Sequence, residues 1–170
     1  DQHLYVREIR PIPVAKERRK LRDAILTPGE TTQYLSLTQQ LSWPARTTMP
    51  GLCYLVSDLQ QRTPTATVSD LGRANWVLRQ AQEMSRRGAE LRFEKSPKFD
   101  MKDLLLVSAH DASFAQQPKD GSQQGHVCLL GGSTESANHP VEGHFHVVDW
   151  SSSKIHRVVR STLAAEAASA

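Results

Sequence analysis

Cysteines, aromatic residues and long apolar runs are all scarce in this chain of 170 residues. The two cysteines, Cys53 and Cys128, are far apart and lie outside any CxxC pair, which excludes a disulfide framework and a zinc ribbon. They predict two reduced, buried thiols and favour a reducing intracellular compartment. No apolar run approaches the roughly 18 to 20 residues that cross a bilayer, so the sequence predicts no membrane span.

The composition is that of a folded protein with a mild basic bias. Hydrophobic residues make up 38% of the chain and charged residues 23%, and the length permits one domain or a small domain with a helical extension. The formal net charge of +3 and the isoelectric point of about 9.0 are compatible with binding to a polyanion. A charge of this size is equally ordinary in proteins that bind no nucleic acid.

The N-terminal residues predict an extended arm followed by a basic helix. Residues 1–13 contain Pro11 and Pro13, which favour extended backbone. Residues 14–26 are rich in helix formers, and their basic residues are a candidate nucleic-acid-binding surface: Lys16, Arg18, Arg19, Lys20 and Arg22. The alternative interpretation is a solvated charged face.

Three amphipathic helices are predicted next. The segment Thr27–Glu30 has the residues of a capping box with proline at the first helical position, so a helix should begin there. Trp43-Pro44 is expected to interrupt that helix, and a short helix follows. The third and clearest helix runs from a cap at Ser69 or Asp70 to Gly88.

Beyond Gly88 the apolar period changes from helical to strand-like, which predicts two parts, residues 1–88 and 89–170. Strand candidates lie at residues 91–94, 104–107, 125–130 and 144–150. The run Leu104–Val107 is typical of a buried strand. Three strands in a row indicate an antiparallel meander, and Ser161 opens an alanine-rich helix. The predicted fold class is therefore α+β.

Asp111 and Glu166 are the most informative pair of carboxylates. Asp111 closes the apolar strand, and Glu166 lies on the helix that follows two further strands. Carboxylates from a strand and a packed helix can meet at one point, and their oxygens are the ligands that Mg²⁺ prefers. The pair predicts catalytic metal ligands, although spacing alone would accept any aspartate after a strand and any glutamate on a helix.

The resemblance of two segments to a known family makes the prediction for these two carboxylates more specific. The segment SAHDASFA, Ser108 to Ala115, resembles the first strand and turn of copia-type ribonuclease H domains, in which the aspartate is the first catalytic carboxylate. The segment from Trp150 to Glu166 is similar to the passage from the third strand of that family into its first helix, whose glutamate is the second carboxylate. The resemblance implies that Asp111 and Glu166 bind Mg²⁺.

The resemblance extends upstream and covers the chain from about residue 26 to the end. The segment LTPGE, from Leu26, is similar to the connector that follows the reverse transcriptase in such polyproteins, and DLGRANWVLR, from Asp70, is similar to the helix that precedes the nuclease. It implies a helical connector at residues 1–88 and, at residues 89–170, a truncated ribonuclease-H-like antiparallel meander with its first helix. The third and fourth carboxylates of the family would then lie beyond this chain.

The function implied by the resemblance is Mg²⁺-dependent hydrolysis of RNA in RNA–DNA hybrids, incomplete in this chain. The alternative is a non-catalytic, retroelement-derived structural or binding subunit. Such a subunit would need protein partners that cover the open edge of the sheet.

The strands offer a second conceivable metal site. His144 and His146 share one strand face and lie near His139 and Cys128, although an exposed histidine-rich face is the favoured interpretation. Asp149 is a conceivable third ligand beside Asp111 and Glu166, with a surface carboxylate as the favoured alternative.

Overall fold

The computed structural model describes residues 2–88, 91, 93, 104–117, 121–133, 143–155 and 161–169. The chain divides into two compact units, a helical unit at Asp1–Glu90 and a sheet unit at Leu91–Ala170. This division lies two residues after the change of apolar period predicted at Gly88. No helix within the described ranges is both long and apolar enough to cross a membrane.

The helical unit is built around one apolar core. Its helices are α1 (Gln2–Glu8), α2 (Lys16–Lys20), α3 (Pro28–Thr47), α4 (Cys53–Arg62) and α5 (Val68–Arg86), with 3-10 turns at Pro50–Leu52 and Thr63–Thr65. The largest fully buried apolar side chains are Tyr34, Leu41, Met49, Leu52, Leu59, Leu71 and Leu78. They come from α3, α4, α5 and the segment between α3 and α4, so the core holds these elements together.

The N-terminus of α3 has the predicted capping box. The backbone N–H of Glu30 donates to Thr27 Oγ1 at 3.3 Å, and the N–H of Thr27 donates to Glu30 Oε2 at 2.8 Å. Pro28 occupies the first helical position, where its absent N–H has no helical partner to lose. Three residues within one turn thus set where this helix begins.

The predicted extended arm at the N-terminus is wrong, because residues 2–8 form α1. Val6 is fully buried in the core, and Gln82 Nε2 of α5 donates to the carbonyls of Val6 and Ile9 at 3.4 and 3.1 Å. Packing on α5, which is far away in the sequence, therefore stabilises the short helix α1, which its local sequence does not favour.

The predicted interruption at Trp43-Pro44 is also wrong, because α3 continues through Pro44 to Thr47. Proline has no N–H, so the carbonyl of Gln40, four residues earlier, loses its helical donor. Tyr5 Oη donates to that carbonyl at 3.3 Å, and the Tyr5 ring packs edge-on against Trp43 at 4.8 Å. A side chain from α1 replaces the bond that proline removes.

Helix α2 covers Lys16–Lys20 and is shorter than the predicted helix of residues 14–26. The segment after it pairs with the start of α5 instead. Val68 and Ser69 donate their N–H groups to the carbonyls of Ala24 and Arg22 at 3.0 and 2.9 Å. This backbone pairing is incompatible with helical bonds across residues 22–26 and ends the helix early.

Helix α5 begins one to two residues before its predicted cap. Thr67 is the N-cap and forms a second capping box with Asp70, whose Oδ2 accepts the N–H of Thr67 at 2.9 Å. The helix ends at Arg86, and Gly88 follows with a φ of +67°, a left-handed conformation that favours glycine.

The sheet unit contains β1 (Leu104–Gln117), β2 (Gly121–Ser133), β3 (Gly143–Lys154) and α6 (Thr162–Ser169). The strands pair antiparallel in the order β1-β2-β3, which confirms the predicted meander and the α+β class. Helix α6 packs on β1 and β2. Ala165 of this helix forms a small buried cluster with Ala112 and Ile155.

Residues 104–107 belong to a strand, as predicted, but the prediction that this run is buried is wrong. These residues begin β1, but Leu106 is 69% exposed and Leu104 and Leu105 are also exposed. Helix α6 covers the other end of β1, at Ala112, and β1 is an edge of the described sheet. Of the strand predicted at residues 91–94, positions 92 and 94 lie outside the described residues.

Candidate functional sites in the two units

Asp111 and Glu166, the predicted catalytic carboxylates, lie on a strand and on a helix respectively, as the sequence predicts. Asp111 is an exposed residue of β1, paired with Gly125 of β2. Glu166 is a half-buried residue of α6 and follows the fully buried Ala165. Both residues belong to the sheet unit, and α6 lies against β1, so the two elements are neighbours.

Asp111 lies on the face of the sheet opposite to the one on which α6 packs. Successive side chains of a strand point to opposite faces, and Ala112 is buried against the face that α6 covers. Asp111 therefore points to the other face. Carboxylate oxygens suit Mg²⁺ chemically, but Asp111 starts from the face opposite to the one on which α6 packs, so strand register does not by itself bring the two carboxylates together. Their joint catalytic role stays a prediction.

Another group of metal-binding side chains comes together on the sheet. His126, Cys128 and Asp149 each offer one ligand atom, and these atoms all lie within 4.8 Å of one another. Among the described residues this is the one group of three or more histidine, cysteine or acidic side chains of this kind. Sequence reasoning indicates Cys128 and Asp149 as conceivable ligands, but it misses His126.

The register of the strands explains this grouping. Cys128 of β2 is the partner of Asp149 of β3, and His126 is the partner of Ser151 two positions along. Residues two apart share a face, so all these side chains project from the same side. His126 Nε2 lies 2.9 Å from Asp149 Oδ2, and its Nδ1 lies 3.0 Å from Ser151 Oγ.

The contact with His126 makes Asp149 a stronger acid. The hydrogen bond from His126, supported by the charge of the ring when it is protonated, lowers the pKa of the Asp149 carboxyl from its usual value. Asp149 therefore belongs with His126 and Cys128, and not with Asp111 and Glu166 as the sequence alone suggests.

Of the predicted histidine pair on β3, the structure describes the side chain of His146 only. His146 packs its ring against Phe93, with ring centroids 5.6 Å apart. His139 and the side chain of His144 lie outside the described residues. His110, which precedes Asp111, is exposed; its Nε2 lies 2.8 Å from Ser108 Oγ.

The predicted basic surface of the helical unit divides into residues with different roles. Arg18 binds both carboxylate oxygens of Glu30 at 2.8 Å and donates to the carbonyl of Ile25 at 2.9 Å. This bidentate pair lowers the pKa of Glu30 to about 2. Arg18 therefore holds α2 to the N-terminus of α3. Lys20 pairs with Glu17 in an exposed contact at 2.8 Å, and Lys16 is exposed.

Arg19 and Arg22 line a cleft of about 510 Å³ with two arginines of α5. The full lining is Val14, Arg19, Arg22, Val68, Ser69, Gly72, Arg73, Asn75 and Arg79. Arg73 also bonds Asp58 at 2.8 Å, and Arg19 Nε donates to the carbonyl of Val14. No ion pair within the described part of the chain involves Arg22 or Arg79. The cleft thus has two uncompensated guanidinium groups.

Sequence reasoning missed the contribution of α5 to this cleft. The apolar period of α5 identifies which side enters the core, but it does not say which segment lies beside the polar side. The backbone pairing of residues 22–26 with the start of α5 brings Arg22 there. That pairing joins residues more than 40 positions apart and has no local signal.

No protein-family description matches this chain, and neither a curated protein nor a solved structure shows detectable similarity to it.

Proposed function

We propose that this chain is a nucleic-acid-binding segment of a copia-type retrotransposon polyprotein. In this proposal the helical unit is the connector that follows a reverse transcriptase, and the sheet unit is the first part of a ribonuclease H domain. The support is the position of the two carboxylate motifs. The Asp111 motif lies on the first strand of an antiparallel meander, and the Glu166 motif leads into the helix that packs on it.

The arginine-lined cleft carries the binding function. Guanidinium groups remain charged at any physiological pH and present several donors to phosphate oxygens. Arg22 and Arg79 have no acidic partner in the described part of the chain, so a phosphate group would not have to displace one. Asn75 is less available, because its side chain bonds both the N–H and the carbonyl of Ile12 at 2.8 and 2.9 Å.

The ancestral reaction would be hydrolysis of the RNA strand of an RNA–DNA hybrid. Asp111 projects from the sheet face opposite to the one on which α6 packs, so the strand register gives no support to a metal site shared with Glu166. The activity that we expect of this chain is therefore binding to hybrid or single-stranded nucleic acid without cleavage.

Fluorescence anisotropy with a labelled RNA–DNA hybrid tests the binding proposal. We expect Arg22→Gln with Arg79→Gln to weaken binding about 10-fold or more and to reduce the slope of log K against log salt by about 2. Arg46→Gln with Arg86→Gln is the matched control, because it also removes two positive charges, one from α3 and one from α5, at positions that do not line the cleft. Equal losses in the control and in the cleft variant would refute the proposed role of the cleft.

A cleavage assay tests the second part of the proposal. The labelled hybrid is incubated with the wild-type chain and with Asp111→Asn in Mg²⁺ or Mn²⁺. We expect intact hybrid in both reactions. Cleavage by the wild-type chain that disappears in Asp111→Asn would contradict binding without hydrolysis and would establish a working metal site.

A second candidate function is that of a structural subunit that binds protein through β1. It is favoured by the exposed leucines Leu104, Leu105 and Leu106 on an edge strand of the described sheet, because such an edge can pair with a strand of another protein. Native purification tests it. A stoichiometric protein partner that is lost in Leu106→Lys would support this candidate, whereas material without partners would count against it.

A further inference from the structure

The three ligand atoms of His126, Cys128 and Asp149 form a group that the proposed nucleic-acid function does not use. They project from one face of β2 and β3 and lie within 4.8 Å of one another. Both strands are held by an antiparallel ladder on either side of this group, so the positions of the three residues are set by backbone pairing. The one irregularity in the described β2–β3 pairing falls between Cys128 and Leu129, next to the group.

The distances require only small adjustments to hold a metal ion. In a tetrahedral zinc site, sulfur and nitrogen or oxygen ligands lie about 3.3 to 3.6 Å apart, given bonds of about 2.3 Å to sulfur and 2.0 to 2.1 Å to nitrogen. His126 Nε2 and Asp149 Oδ2, now 2.9 Å apart, would separate slightly, and the Cys128 thiol would approach them. Rotation of side chains covers both movements, since Asp149 is 67% exposed.

The surroundings of His126 support its role as a ligand. A metal-binding histidine usually fixes its other ring nitrogen with a hydrogen bond, which sets the tautomer and the direction of the ring. His126 Nδ1 lies 3.0 Å from Ser151 Oγ, and this leaves Nε2 directed at Asp149. Cys128 has a neighbouring hydroxyl as well, since Ser108 Oγ lies 3.4 Å from its sulfur.

We infer that His126 Nε2, Cys128 Sγ and Asp149 Oδ2 form a binding site for a single Zn²⁺ ion, with the fourth position open to water. The mixed nitrogen, sulfur and oxygen set suits this borderline-soft cation and not Mg²⁺, which prefers oxygen ligands alone. The site is thus distinct from the carboxylate chemistry of Asp111 and Glu166. Binding converts the Cys128 thiol to thiolate and releases its proton to solvent, and it requires His126 Nε2 without a proton. A neutral ring then carries its one proton on Nδ1, next to Ser151 Oγ, and a protonated ring releases its second proton to solvent.

The alternative to a metal site is an ordinary hydrogen-bonded ion pair between His126 and Asp149 on the sheet surface. The two interpretations differ in the role of Cys128. An ion pair does not need the thiol, whereas a zinc site needs the thiolate as its softest ligand. An experiment that reports on bonding to sulfur therefore separates them.

Titration of the untagged full chain with Co²⁺, followed by displacement with Zn²⁺, tests the inference. We expect one Co²⁺ per chain, with a thiolate-to-cobalt charge-transfer band in the near ultraviolet that disappears when Zn²⁺ is added. Cys128→Ser should abolish the band, and His126→Ala should weaken Zn²⁺ binding at least about 100-fold. Ser151→Ala removes only the hydroxyl group beside His126 Nδ1, and it should weaken Zn²⁺ binding about 10-fold.

Cys53→Ser is the matched control, since it removes the only other thiol in the chain, on α4 of the helical unit. It should leave the band and the Zn²⁺ affinity unchanged. Circular dichroism of each variant verifies that the sheet is retained. A charge-transfer band that persists in Cys128→Ser, a band lost in Cys53→Ser, or no stoichiometric binding of either metal by the folded wild-type chain would overturn the inference.

Discussion

The hydroxyl of Tyr5 donates a hydrogen bond to the backbone carbonyl of Gln40 at 3.3 Å, and Gln40 is the residue whose carbonyl Pro44 leaves without a helical donor. The bond joins α1 to α3 across 35 positions of sequence. It shows how this helix accommodates a proline in its last turns. The contact also positions the N-terminal segment, because the Tyr5 ring packs on Trp43 next to the proline.

Tyr5→Phe keeps the ring and removes only this donor. We expect it to lower the free energy of unfolding by about 0.5 to 1.5 kcal/mol, the usual net contribution of one hydrogen bond. Urea denaturation at neutral pH measures the change. Pro44→Ala is the second arm of a double-mutant cycle, because alanine restores the helical N–H to Gln40. In the Pro44→Ala background, Tyr5→Phe should lower the free energy of unfolding distinctly less than it does in the wild type. An equal cost in both backgrounds would show that the hydroxyl does not compensate for the proline.

Asp58 is a carboxylate of α4 that is only 1% exposed and is held by two arginines. Arg62 bonds it at 3.0 Å and Arg73 of α5 at 2.8 Å. Replacing both arginines with methionine would leave a buried charge without compensation, so we expect a loss of about 3 kcal/mol or more in the free energy of unfolding. Chemical denaturation measures it. Adding Asp58→Leu to that variant should recover most of the loss; a triple variant no more stable than the double would contradict this account.

The pair between Arg18 and Glu30 predicts a dependence of stability on pH. The hydrogen bonds from Arg18 and from the N–H of Thr27 lower the pKa of Glu30 to about 2 from an ordinary 4.5. Because the folded-state pKa is lowered, the stabilisation is present above pH 4.5 and is lost as the pH falls towards 2. Thermal unfolding between these limits should show a falling midpoint in the wild type.

Glu30→Gln should flatten this part of the pH profile. At neutral pH it should also cost about 1 kcal/mol, because it weakens the capping box of α3. Glu17→Gln is the control, since Glu17 is largely exposed in its pair with Lys20. A profile of Glu30→Gln that matches the wild type between pH 4.5 and 2 would contradict the assignment.

Two glycines, one inside α5 and one just after it, should respond in opposite directions to alanine. Gly88 has a φ of +67°, which alanine adopts only with strain, so Gly88→Ala should destabilise the helical unit by about 1 kcal/mol. Gly72 lies within α5 and has open space where an added methyl group would lie, so Gly72→Ala should stabilise the unit by about 0.5 to 1 kcal/mol. Thermal denaturation gives both signs, and a shift in the same direction for both would contradict the backbone argument.

The features that could be read from the sequence are those whose partners are near in the chain. The capping box of Thr27 and Glu30, the glycine stop at Gly88 and the antiparallel order of the three strands are all predictable. A capping box uses residues three positions apart, and a meander joins consecutive strands. Apolar period and local bonding contain this information, so no knowledge of packing is needed.

The burial of β1 could not be read in the same way. An apolar run such as Leu104–Leu106 indicates a strand. Whether each end of that strand is buried depends on which other elements pack against it. Likewise the sequence assigns Asp111 and Glu166 to the correct elements, whereas the face from which each projects depends on strand register and on where α6 packs.

The sequence by itself determined the α+β class, the start of α3, the end of α5 and the strand order. The tertiary structure decided that residues 2–8 are helical, that Pro44 remains inside α3, and that Arg22 and Arg79 line one cleft. It also decided that His126 meets Cys128 and Asp149. The physical reason is the range of the interactions: each of these outcomes depends on side chains or carbonyls brought together from separate elements, whose proximity is set by packing and register.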